Sequence, residues 1–99
     1  MTDGAGNPAS GPLKRTLAIG NKRGLHARAA AKFVRTVGQF DAAVRVSFKG
    51  QDVSGLSIMG LMMLAAGIGS SIELSCSGRQ AREAMTALSA LVEGKFGED

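Results

Sequence analysis

The stretch Asn21-Lys-Arg-Gly-Leu-His-Ala-Arg-Ala-Ala-Ala-Lys-Phe-Val34 constrains this chain more than any other. Ala30, Phe33, Val34 and Val37 recur at i, i+3, i+4 and i+7, the spacing of one apolar helix face. Ahead of them Gly24 interrupts a strand-like run and permits a tight turn. A helix is therefore predicted to begin at the one histidine of the sequence, with His26 at the N-cap and Ala27, Arg28 and Ala29 as its first turn. At 99 residues the chain has room for a single domain with a modest core. Everything else it forms must pack against this turn and helix.

Three physical effects meet at that position. The first-turn N–H groups have no intrahelical partner and together carry roughly half a positive charge. A phosphate placed there finds donors and a favourable dipole. Arg28 adds a charge-assisted contact to the same anion. The positive end of the helix also opposes a cationic ring, which predicts a neutral imidazole with a nucleophilic lone pair. A neutral imidazole beside an anion site can accept a phosphoryl group. The bland alternative is a surface or capping histidine without chemistry.

Charge distribution sharpens the picture. Between Asp3 and Asp41 there is no acidic residue, while Lys14, Arg15, Lys22, Arg23, Arg28, Lys32 and Arg35 flank the histidine. Nucleic acid is one partner for such a patch. The absence of stacking aromatics and of a recognised binding motif argues against it, and acidic protein partners fit better. Cys76 is the one cysteine, which excludes an intramolecular disulfide and fits a reducing compartment. Neither a signal peptide nor a membrane-spanning run is visible, so a cytoplasmic location is expected. One histidine, one cysteine and scattered carboxylates predict no metal site and no cofactor.

Taken in order, residues 1–12 read as a disordered Gly- and Pro-containing leader. Leu13–Gly20 reads as a strand with Leu17 and Ile19 inward, and Gly38 as the left-handed residue ending the His26 helix. Ala42, Val44, Val46 and Phe48 alternate with Ala43, Arg45 and Ser47, which predicts a second strand. Lys49-Gly50 turns it into a short third strand over Gln51–Ser54. A helix is predicted over 55–66 with Ser57 as N-cap, then a strand over Ser71–Cys76. A last helix is predicted from Ser77-Gly78 to Val92, with residues 94–99 fraying. The order βαββαβα implies an α+β domain over 13–93: a four-stranded, mainly antiparallel sheet with three helices on one face. Periodicity leaves the strand order open, with a ferredoxin-like arrangement as the default.

The run Gly24-Leu-His-Ala-Arg-Ala-Ala30 resembles the active-site motif of the HPr family, the histidine-containing phosphocarriers of the phosphoenolpyruvate-dependent phosphotransferase system. In that family a Gly-Leu-His-x-Arg-Pro-Ala run carries the phosphoryl-accepting histidine, at Nδ1, and its supporting arginine. Here these would be His26 and Arg28, with the N–H groups of Ala27, Ala29 and Ala30 cradling the phosphate. Ala29 replaces the family proline, which suits a first helical turn without being chemically required. Ser57-Ile-Met-Gly-Leu-Met62 resembles a second family segment, a Met-rich helix beside the active site. Ser57 matches a serine that is phosphorylated where an HPr kinase/phosphorylase is present.

The resemblance implies an open-faced β-sandwich with strand order 1-4-2-3. It also implies phosphoryl transfer from enzyme I to His26 and on to a IIA-type protein, with the chain acting as a monomeric carrier and not an enzyme. Arg23, Leu25, Ile58, Met59 and Met62 are the expected docking residues. A regulatory adaptor of the same fold and a small basic nucleic-acid-binding domain are the competing readings. The resemblance does not separate a sugar-transport carrier from a nitrogen-related one.

Overall fold

A computed structural model describes residues 12–98, so all of the expected leader except Pro12 lies outside the described residues. The elements are β1 (Leu13–Ala18), α1 (Ala27–Val37), β2 (Ala43–Phe48), β3 (Gln51–Ser54), α2 (Ile58–Met63), β4 (Ser71–Ser77) and α3 (Ala81–Glu93). A 3-10 turn over Lys95–Gly97 follows them. The strands form one sheet in the order β1-β4-β2-β3, and every neighbouring pair is antiparallel. The fold is the open-faced α+β sandwich expected.

Alternation decides which sheet face is covered. Leu17, Val44, Val46, Ile72, Leu74 and Cys76 point inward and are buried, whereas Thr16, Arg45 and Glu73 point away and are exposed. Leu17 pairs with Ile72, and Leu74 with Val46, so apolar residues meet across three strands. Ala29, Ala30, Phe33 and Val37 of α1 and Ala84, Met85, Leu88 and Val92 of α3 close the core from above. Burial pushes the Cys76 thiol pKa up, leaving a protonated, inert group within that core.

Several element ends differ from expectation. Gly38 stays right-handed at φ −65°, its N–H returning to the Val34 carbonyl, and the chain leaves α1 through further turns ending at Phe40. The second helix stops at Met63 instead of running to residue 66, because Ala65 enters the left-handed region at φ 56°. The third begins at Ala81, since Gly78, at φ +106°, is used for a turn.

The largest correction concerns residues 94–98, expected to fray. Phe96 is 0% exposed, and Lys32 Nζ donates to its carbonyl at 2.6 Å. Lys95 and Phe96 both adopt left-handed backbone, which costs about 1–2 kcal/mol each. Burying the phenyl ring, worth about 1.5–3 kcal/mol, and the bond from Lys32 offset that cost.

Candidate functional site

Backbone geometry places the histidine. Gly24 sits at φ +61°, and a Cβ there would strike the Ala66 carbonyl oxygen and lie 2.7 Å from Gly67 Cα. Only glycine allows the turn before α1 to approach the loop after α2 so closely. The Leu25 N–H donates to the Ala66 carbonyl at 3.1 Å, which locks the two loops together. His26 then occupies the N-cap in extended geometry, φ −73° and ψ 178°, and its side chain makes no cap bond. The imidazole is left to other partners.

One of those partners comes from the far end of the chain. His26 Nε2 lies 2.6 Å from Glu98 Oε2, and the other oxygen, Oε1, accepts from Asn21 Nδ2 at 3.1 Å. Asn21 is fully buried and also donates to the Gly24 carbonyl at 2.9 Å, tying the carboxylate to the turn. Burial acts to raise the Glu98 pKa. The hydrogen bonds from Asn21 and His26 and the charges of His26 and Lys32 overcome it, so the carboxyl lies below its ordinary value. An ionised carboxylate only accepts hydrogen bonds, so Nε2 must carry the proton it shares. In a neutral ring the lone pair then belongs to Nδ1. No periodicity could have revealed Glu98. The one available signal was a carboxylate next to a buried aromatic in a segment that reads as a tail.

Arg28 is exposed in the first turn of α1, two residues from His26. Ala27, Arg28 and Ala29 precede the first intrahelical bond, and no acidic residue occupies that turn. Ala29 and Ala30 correct the expected phosphate cradle: Ala29 is fully buried, and the Ala30 N–H is committed to the His26 carbonyl at 2.9 Å. Leu25 corrects the expected docking set, being 4% exposed and packed into the core. Arg23 is exposed, as are Ile58, Met59 and Met62. Leu56 and Ile68, not anticipated, are exposed as well, as is Met63 of the Met-rich helix. Ser57 caps α2 by accepting from the Gly60 N–H at 2.9 Å. Helix α2 packs beside α1.

Comparison with known proteins agrees with this geometry. Residues 13–94 match the family described as the PTS HPr component phosphorylation site. The phosphocarrier protein HPr of Cupriavidus necator is 51% identical over 86 residues, covering 87% of this chain and 97% of that protein. HPr of Neisseria meningitidis serogroup A is 52% identical over the same shares of both chains. The crystal structure of HPr-C-His from Thermoanaerobacter tengcongensis is 42% identical and superposes with a TM-score of 0.84, covering 88% of this chain and 98% of the other. With the sheet order, the histidine at the start of α1 and these likenesses in agreement, the chain belongs to the HPr family of phosphotransferase-system phosphocarriers.

Proposed function

We propose that this carrier accepts a phosphoryl group from phosphorylated enzyme I onto Nδ1 of His26 and passes it to a IIA-type protein. The observation that carries the assignment is the pairing of Nε2 with an ionised Glu98, which reserves the lone pair for Nδ1. Charge in the transfer state is spread over three phosphoryl oxygens. Arg28 and the exposed N-terminal turn at Ala27 answer that charge, and the partner supplies the in-line approach. A carrier must release its partners quickly. A small surface combining Arg23 with Ile58, Met59 and Met62 suits weak, brief docking.

Ser57 belongs to the same proposal as a regulatory site for an HPr kinase/phosphorylase. Phosphate at an N-cap is favoured by the helix dipole, so the modification would place a dianion on the docking surface without unfolding α2.

Intact-mass spectrometry after incubation with phosphoenolpyruvate and enzyme I tests this reading. One acid-labile phosphate is expected, absent in His26→Ala. Arg28→Ala is expected to fold normally and accept the group at least about tenfold more slowly, the loss of one charge-assisted contact. Kinase and ATP should add an acid-stable phosphate that disappears in Ser57→Ala. A folded protein that never acquires the labile phosphate would point instead to an adaptor of this fold.

A further inference from the structure

Phosphoryl transfer to an imidazole generates charge on the ring. The Nδ1 lone pair forms the N–P bond, and the bond from phosphorus to the partner's donor atom breaks, its electron pair leaving with that atom. The ring, neutral before attack, becomes cationic while Nε2 keeps its proton. Passing the group on reverses the sequence: the N–P electrons return to Nδ1 and the ring becomes neutral again. A group that holds the Nε2 proton and faces it with negative charge therefore assists acceptance and holds the phosphorylated, cationic ring until a partner takes the group.

Glu98 has that placement, and several separate contacts fix it. Oε2 faces His26 Nε2 at 2.6 Å, and Asn21 Nδ2 holds Oε1 at 3.1 Å. Two residues before the carboxylate, Phe96 is fully buried and its carbonyl receives Lys32 Nζ at 2.6 Å. Glu98 is thus carried on an anchored clasp that joins the C-terminal segment to the start and middle of α1. The side chains of His26 and Glu98 are only 13% and 16% exposed, so water screens the pair little. We propose that Glu98 is the positioning residue of the phosphoryl acceptor. It holds His26 with Nδ1 outward and stabilises the cationic ring formed on acceptance.

This inference rests on the phosphocarrier reading, and the experiment separates the two. Single-turnover transfer from phosphorylated enzyme I is measured for the full chain, Glu98→Gln and Glu98→Ala, with His26→Ala as the blank. Glutamine keeps the shape and can still accept from Nε2, but it lacks the charge. The maximal rate is expected to fall about tenfold or more in Glu98→Ala and by less in Glu98→Gln, with KM for enzyme I unchanged. A merely structural clasp would change both constants together, or neither. Proton NMR supplies a readout that needs no enzyme I: a low-field His26 Hε2 resonance protected from exchange, lost in Glu98→Ala. Transfer at the original rate in both variants, or an unprotected Hε2 in the full chain, would overturn the role of Glu98 while leaving the carrier intact. Failure of the full chain to accept phosphate would remove both.

Discussion

A carboxylate that accepts hydrogen bonds from Asn21 and His26 is worth more to the folded chain ionised than protonated. The Glu98 pKa is lowered from an ordinary value of 4.5, so its contribution to stability is complete above that value and is lost as the pH falls through the lower folded value. Removing the ionisable group removes that part of the acid response. Glu98→Gln is therefore expected to lose less stability than the parent chain between neutral pH and about pH 3, as urea midpoints would show. Equal losses in the two chains would mean that the carboxylate is no better held in the fold than out of it. Reading the sequence places His26 and Arg28 together at the start of α1 because both lie within one helical turn. It misses Glu98 because that residue stands 72 positions from His26, and only the folded chain brings them together. Leu25 and Ala30 mislead for a related reason. Adjacency to the histidine says nothing about whether a side chain turns inward or an N–H is already spent.

Among the elements, α1 and β2 declare themselves because each repeats its period several times over a strongly apolar face. Three residues cannot show a period, so the turn over Lys95–Gly97 reads as a tail between Gly94 and Gly97. Helix α2 is legible at its start, where Ser57 caps it, and illegible at its end. Its continuing apolar run hides the left-handed turn at Ala65 that brings Ala66 to Leu25. The C-terminal turn is nevertheless the element with most at stake, because its phenyl ring is wholly inside the core. Phe96→Ala is expected to cost about 3–5 kcal/mol in urea unfolding, the usual loss for emptying an aromatic site. It should also release Glu98 and expose the His26 ring proton to exchange. A loss below about 1 kcal/mol would show that the segment contributes little packing and that the clasp is held from its polar end alone.

At the scale of the whole molecule, the exposed side chains offer two unlike surfaces. One is basic, with Arg23 and Arg28 exposed on a chain of net charge +4. The other is apolar, with Met59 and Met63 each 71% exposed on a helix too short to bury both faces. Their physics separates them in kinetics. Charge steers diffusional encounter and is screened by salt, whereas apolar contact holds the docked pair and is not. Raising ionic strength from about 0.05 to 0.5 M shortens the Debye length from roughly 14 to 4 Å, less than the reach of an encounter complex. KM for enzyme I is expected to rise severalfold with salt, while the maximal transfer rate stays constant. Met59→Ala should raise KM at every salt concentration and leave the salt slope unchanged. Because Met59 is so exposed, its removal should shift stability by no more than about 0.5 kcal/mol, so a change in KM would report docking and not folding. A salt-independent KM would show that the basic residues around His26 serve the transferred phosphate alone, and that the methionines by themselves select the partner.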